Sequence, residues 1–312
     1  MTKLKFYALC SRNIWALKRH ERTIPKNELV IVINTLDKSF EKEAVTYCIE
    51  NNIEHYVTFS DGTATTGKNS LFRIFEESDN DYMVQIDGDD FITKHGYFVY
   101  SEIAKLESPP DVVGIEYMYG LTPSVEYYAS LSLEEFRNRK LPIADIDKIP
   151  SMGIRCFYRP NYASKKVNDE LCDTWQALSS KYISPHETHI RVTFLSKKAV
   201  KGRKWPELKV GEDTVFYLEN KNLFIEGELS LVHLSEELPT YVYDTRVDGV
   251  CEQESRAEQK GAWMRKLVST MKDMEKEGRL HEKSVPKIKL NFPDNYIANL
   301  KGIPKIWNEE LW

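Results

Sequence analysis

Three times between Lys5 and Asp87 a short apolar run gives way to a segment whose apolar residues recur every three or four positions. That alternation leaves few folds open. Parallel strands need a crossover, usually a helix, and the helices then cover the faces of the sheet. The runs are Lys5-Phe6-Tyr7-Ala8-Leu9, Glu28 to Asn34 and Glu54 to Phe59, and a fourth, Tyr82-Met83-Val84-Gln85-Ile86, closes the series. The first helix is expected from Asn13 to about Arg22, with Ile14, Trp15 and Leu17. The second carries Phe40, Ala44, Val45, Cys48 and Ile49 on one face, with Asp37 or Ser39 as its cap. The third runs from Lys68 to about Glu77 with Leu71, Ile74 and Phe75 inward. A hydrophobic fraction of 41% supports a full core, and 312 residues allow one large or two small domains.

The fourth strand stops at Asp87-Gly88-Asp89-Asp90. Open α/β sheets bind ligands beyond the carboxyl ends of their strands, and Gly88 permits a tight turn there. Carboxylates this close repel one another unless a cation neutralises them. Hard oxygen ligands suit Mg²⁺ or Mn²⁺, which can also hold a diphosphate. On the tripeptide alone a solvated turn is the favoured reading, and the spacing is not that of an EF-hand; the context on both sides shifts the balance. After Leu9 the chain reads Cys10-Ser11-Arg12-Asn13, without a GxGxxG fingerprint, and no P-loop occurs anywhere. Diphosphate binding would then rely on a metal.

A helix from about Lys94 to Leu106 and a strand from Asp111 to Tyr117 follow. The pattern loosens from about Gly120 to Pro185, where Arg155, Phe157, Tyr158, Arg159, Tyr162, Lys165 and Lys166 interleave rings with positive charge. Such a mixture fits contacts to nucleotides or sugars, and equally an irregular part of the core with its rim. Regularity returns with a strand from His189 to Leu195. Gly211-Glu212-Asp213-Thr214 then opens a helical apolar run. A carboxylate at a helix start is favoured by the helix dipole, which makes Asp213 either an ordinary N-terminal acid or a general base. Leu223 to Leu234 reads as strand and includes His233, and Tyr241 to Arg246 is a further segment. A helix from Glu252 to about Glu277 carries Trp263, Met264, Leu267, Val268, Met271 and Met274 as a packing stripe, and a surface tail follows.

The net charge of −5 is unevenly spread. Between Arg137 and Lys209 stand 16 Lys and Arg against 7 Asp and Glu, a local charge of +9, so the remainder carries −14. A basic middle on an acidic chain points to a polyanionic partner such as DNA, or to charged surfaces that pair internally. Five cysteines without a CxxC pair read as reduced thiols and offer no zinc site. No apolar run is long enough to span a membrane, and the N-terminus shows no signal-peptide core, so a cytoplasmic location is expected.

In their order and spacing these motifs resemble the GT-A glycosyltransferases, family 2 in particular. Gly67-Lys68-Asn69 stands at the expected helix start with Lys for the usual Arg. Asp87-Gly88-Asp89 matches the Asp-x-Asp element, Gly211-Glu212-Asp213-Thr214 the second block, and Tyr241-Val242-Tyr243-Asp244-Thr245-Arg246 the last. The likeness covers about Lys3 to Leu106 and His189 to Val250. It implies an α/β GT-A fold with a mixed, mainly parallel sheet. A catalytic domain over residues 1–250 would divide into a nucleotide-sugar half (1–119), a variable acceptor segment (120–188) and a catalytic-base half (189–250). Residues 251–312 would form a C-terminal helix and tail.

The resemblance also implies roles. Asp89 and Asp87 would ligate Mn²⁺ or Mg²⁺ on the donor diphosphate, with His233 as a candidate third ligand. Asp213, beside Glu212, would take the proton from the acceptor hydroxyl in an inverting displacement. Lys68 and Arg246 would hold phosphate oxygens. Cys10, Arg12, Asn34 and Asp37 would face the nucleobase, with Asp61 near its edge if the donor is a UDP-sugar. For the acceptor, 5-hydroxymethylcytosine in phage DNA is set ahead of a bacterial surface saccharide. A nucleotidyltransferase and a non-catalytic DNA-binding module are the remaining alternatives.

Overall fold

The structure is a computed structural model that describes residues 2–88, 90–115, 119–121, 174, 177, 178, 181–183, 191–209, 211–235, 240–244 and 257–290. Asp89, Arg246, most of the expected acceptor segment and the tail beyond residue 290 lie outside these residues. The first half runs β1 (Leu4–Cys10), α1 (Ile14–His20), β2 (Leu29–Asn34), α2 (Lys38–Glu50), β3 (Glu54–Thr58), α3 (Ala64–Glu77) and β4 (Tyr82–Asp87). It continues with β5 (Phe91–Ile92), α4 (Lys94–Ile103), β6 (Val112–Ile115) and β7 (Tyr119–Leu121). The second half comprises β8 (Val192–Ser196), α5 (Lys197–Val200), α6 (Glu212–Ile225), β9 (Leu231–Leu234), β10 (Tyr241–Asp244), α7 (Ala257–Lys276) and β11 (Lys287–Ile288).

Eight strands form one sheet in the order β11-β9-β6-β8-β4-β1-β2-β3. All neighbours are parallel except β8, which runs against both β4 and β6. The expected mixed, mainly parallel sheet flanked by helices is therefore the architecture. β2 shows why it forms: all six residues of Leu-Val-Ile-Val-Ile-Asn are buried, as an inner parallel strand covered on both faces requires. On one face Phe6, Ala8, Ile31, Ile33, Val84 and Ile86 meet apolar residues of α1, α2 and α4. On the other, Tyr7, Val30, Val32 and Met83 meet α3, α6 and α7. A fully buried Val, Leu, Ile or Phe contributes about 1.5–3 kcal/mol relative to exposure, so this double covering supplies the main drive. A small second sheet, β5-β10-β7, lies beyond the turn after β4. Among the described residues no helix is long and apolar enough to cross a membrane.

Two boundaries differ from the sequence reading, and the structure decides between its two candidate caps for α2. The cap of α2 is Asp37, whose Oδ1 accepts from the Ser39 and Phe40 amides at 2.8 and 3.2 Å. Helix α3 starts at Ala64, four residues before the expected start at Lys68, because Thr63 caps it and the Thr65 hydroxyl donates to the Pro206 and Leu208 carbonyls. The segment from Leu223 is not a strand. Leu223-Phe224-Ile225 is the last turn of α6, and the Gly227 and Glu228 amides close it onto the Phe224 and Leu223 carbonyls. Only Leu231–Leu234 is extended.

The stripe on α7 packs as expected, with Met264, Leu267, Val268, Met271 and Met274 buried. Leu267 also touches the start of α6. Gly211 there has φ +77°, and a Cβ on it would lie 2.5 Å from Leu267 Cδ2. Gly202, at φ +69°, has nothing within 4 Å of such a Cβ. Gly202→Ala is therefore expected to lose only the left-handed backbone cost of about 1 kcal/mol, whereas Gly211→Ala adds a steric cost of roughly 1–3 kcal/mol. Urea unfolding of the two variants side by side checks this; equal midpoint shifts would refute the packing argument.

Candidate active site

The carboxyl ends of β1, β2, β3 and β4 share one edge of the sheet, and this edge gathers most of the residues singled out from the sequence. Cys10 ends β1 and is buried, and half-buried Arg12 follows it. Asn34 ends β2, where its Nδ2 donates to Thr58 Oγ1 at 2.9 Å and to the Phe59 carbonyl at 2.6 Å, tying the ends of β2 and β3 together. Asp37 is committed to the α2 cap. Asp61 accepts from the Thr63 hydroxyl at 2.6 Å and the Thr63 amide at 2.9 Å, and the hydroxyl bond lowers its pKa. Both acids thus shape the rim of this edge through their own loops.

Asp87 ends β4, and its side chain is a quarter exposed. Gly88 follows with no left-handed φ. Its lack of a side chain matters sterically instead, because a Cβ there would run into the Leu9 carbonyl of β1. The sequence reading did not find the partner of Asp87. Strand β8 is antiparallel, so its start, not its end, reaches this edge. Arg191, just before β8, thereby reaches the Asp87 carboxylate and also Asp90 Oδ2 at 3.1 Å. Asp90 is fully buried and accepts from the Tyr241 hydroxyl at 2.6 Å. The same hydroxyl accepts from the Asp87 amide at 3.2 Å, and the Arg191 guanidinium lies 5.0 Å from the Tyr241 ring centroid. Tyr241 is held there by pairing of β10 with β5.

The second cation of the cluster is Lys68, on α3. Its side chain is 2% exposed, and its ammonium donates to Asp213 Oδ1 at 2.6 Å and Glu212 Oε1 at 3.1 Å. Those two carboxylates occupy the first turn of α6, where Gly211 in the left-handed region starts the helix. The Trp205 ring centroid lies 4.3 Å from Lys68 Nζ.

The charges set one another. Burial alone would pull the Lys68 pKa down, but Asp213, Asp87 and Glu212 together raise it. Burial pushes Asp87 up, yet Arg191 and then Lys68 overcome it and hold the group near 2. Glu212 stays raised, because burial and the adjacent Asp213 charge outweigh its share of Lys68. Asp87 and Arg191 are therefore fixed in their charged forms, while Glu212 is displaced toward its protonated form.

His233 lies elsewhere. It is fully buried on β9, in register with Gly114, with its ring 5.4 Å from that of Tyr217. Strands β8 and β6 stand between β9 and β4, three inter-strand steps or about 14 Å. The sheet does not bring His233 alongside Asp87. Among the described residues no three His, Cys, Asp or Glu groups form a metal cage. A small divalent ion needs only one or two carboxylates when waters and phosphate oxygens supply the rest. Asp87 fits such a site through the part of its carboxylate that Arg191 leaves accessible, and Asp89 and Arg246 lie outside the described residues.

The basic run is partly consumed internally. Arg191 serves Asp87 and Asp90, Lys197 donates to the Ser78 carbonyl, Lys198 faces Asp111 at 3.4 Å, and Arg203 donates to Asn220 Oδ1 at 2.6 Å.

No protein-family model matches the sequence, and no curated protein does. Among solved structures, the chain is similar to Staphylococcus aureus TarS 1-349 in complex with UDP-GlcNAc, at 14% identity and a TM-score of 0.49 over 86% of this chain and 66% of that one. A second structure of TarS 1-349 gives 14% and 0.45 over 78% and 60%. The mannosyltransferase PcManGT from Pyrobaculum calidifontis, in complex with GDP-Man and Mn²⁺, gives 9% and 0.41 over 99% and 81%. The chain thus spans less than two thirds of the length of the two TarS structures. Any functional reading has to come from the site itself.

Arg191→Met leaves Asp87 and Asp90 without their cation, and a buried pair broken on one side costs about 3–5 kcal/mol. Adding Asp90→Asn should recover part of that loss. Chemical denaturation of the single and double variants checks this, and strictly additive losses would argue against the coupling.

Proposed function

We propose that this protein is a metal-dependent glycosyltransferase that moves a sugar from a nucleotide-diphosphate donor, a UDP-sugar in the first instance, to a hydroxyl acceptor with inversion. One observation carries the reading: Asp87 at a strand end and Glu212-Asp213 at a helix start belong to one buried charge cluster, although Lys68 and Asp213 are 145 residues apart. This joins the donor-side and acceptor-side motifs at the ligand edge of a parallel sheet. The same order of motifs argues against a nucleotidyltransferase, which would show a glycine- and lysine-rich loop where Cys10 to Asn13 stand.

Each residue has a distinct task in this reading. Asp87 and Asp89 would hold a divalent cation, and Arg246 would grip phosphate oxygens. A bound cation supplies neutralisation of charge on the departing diphosphate. Cys10, Arg12 and Asn34 would line the nucleobase end. Asp213 would take the acceptor proton as the new bond to the anomeric carbon forms and the bond to the diphosphate breaks. Arg191 would keep Asp87 ionised and fixed.

The acceptor is a hydroxyl of one of two classes: 5-hydroxymethylcytosine in DNA, or a surface saccharide. The excess of positive charge between residues 137 and 209 favours DNA, although Arg191, Lys197 and Arg203 point part of it inward.

Incubation with Mn²⁺, a panel of UDP-sugars and duplex DNA with or without 5-hydroxymethylcytosine is the direct test. A hexose- or pentose-sized mass gain confined to the modified DNA identifies acceptor and donor together. Free UDP without a DNA mass gain keeps the transferase reading and assigns the acceptor to saccharides. Neither product from any donor would refute the proposal. Asp213→Asn should bind the donor normally and lose transfer by a factor of about 10²–10⁴, the range for loss of a general base. Asp89→Ala should abolish metal-dependent donor hydrolysis, and hydrolysis that persists would remove Asp89 from the metal site.

A further inference from the structure

A lysine that grips a diphosphate has to meet solvent. Lys68 instead is 2% exposed, with Glu212 Oε1 at 3.1 Å, Asp213 Oδ1 at 2.6 Å and the Trp205 ring centroid at 4.3 Å from its nitrogen. Trp205 is itself fixed: its amide donates to Asn69 Oδ1 at 2.8 Å, and its ring stacks on Phe216 of α6 with centroids 4.1 Å apart. The Lys68 ammonium thus sits between α3 and the first turn of α6, roofed by an aromatic ring locked to both helices. Other charges facing it are Asp87 from β4, which favours its charged form, and Arg191 from the start of β8, which opposes it. Among the described residues no hydrogen bond reaches Asp213 Oδ2, and the Asp213 side chain is 32% exposed.

We propose that Lys68 is a positioning residue for the acceptor-activating carboxylate: it anchors Asp213 through Oδ1 and so presents Oδ2 to the acceptor hydroxyl, and it does not bind the donor diphosphate. This rests on the glycosyl-transfer reading. In the step it serves, the hydroxyl proton passes to Asp213 Oδ2 as the oxygen bonds the anomeric carbon. The electron pair of the breaking bond leaves on the diphosphate. Lys68 stays protonated and moves no proton. A carboxylate held by one oxygen against a buried ammonium keeps the near-attack geometry on which rate depends.

The test separates turnover from donor affinity. Lys68→Gln should lower transfer kcat about 100-fold while leaving the donor Kd within about threefold, since a displaced base costs rate and not ground-state binding. Lys68→Arg, which keeps a cation at the site, should recover kcat to within about tenfold of wild type at unchanged donor Kd. If the Gln variant does not fold, the Arg variant decides alone: lower kcat at constant donor Kd supports the role. Lost donor affinity at unchanged kcat, in either variant, overturns the assignment of Lys68 while leaving the transferase reading intact. A wild type that binds no nucleotide sugar overturns that reading, and this role with it.

Discussion

Among the described residues, Asp87, Asp90, Glu212 and Asp213 share one partly buried corner with Arg191 and Lys68, and much of the site's geometry follows from how they divide. Asp87 and Asp90 take Arg191; Glu212 and Asp213 take Lys68. Taking any of these charges out of water is costly, and the cost is repaid only when geometry and further hydrogen bonds are good. The protein meets that condition by bringing the groups from separate elements: α3, β4, the turn after it, the start of β8 and the start of α6. Each ion pair is therefore also a joint between elements.

The packing around the corner transmits that arrangement. Tyr241 reaches Asp90 because a short antiparallel pairing of β10 with β5 fixes its backbone. Leu267 of α7 fills the space beside Gly211, so the C-terminal helix braces the turn that carries Glu212 and Asp213. Trp205 couples the loop before α6 to α3 and to Phe216. The core stripe on α7 and the charge cluster are parts of one mechanical unit.

The alternation of strands and helices up to Asp87 was legible, because each element is long enough to show its period and the inner strands β2 and β4 are buried almost throughout, although the edge strand β3 is not. The acids were legible too, since strand ends and helix starts leave local marks. Their partners were not. Arg191 looked like an ordinary residue of a strand, and only the antiparallel direction of β8 turns it toward Asp87. Lys68 was read as a phosphate-holding cation at the head of a helix, whereas its contacts come from far along the chain. β5 has two residues, too few for any period to appear. At Leu223 an apolar run shorter than a helical turn suits a strand or a helix end equally, and backbone bonds through Gly227 decided for the helix.

The reversed strand has an evolutionary corollary. Among the described residues, β6 ends at Ile115 and β8 begins at Val192, and both points lie at the same edge. The connection between these two points therefore starts and finishes at one edge of the sheet. Lengthening such an excursion adds only a slowly growing closure entropy. One continuous piece of chain can thus be exchanged with the eight-stranded frame left in place.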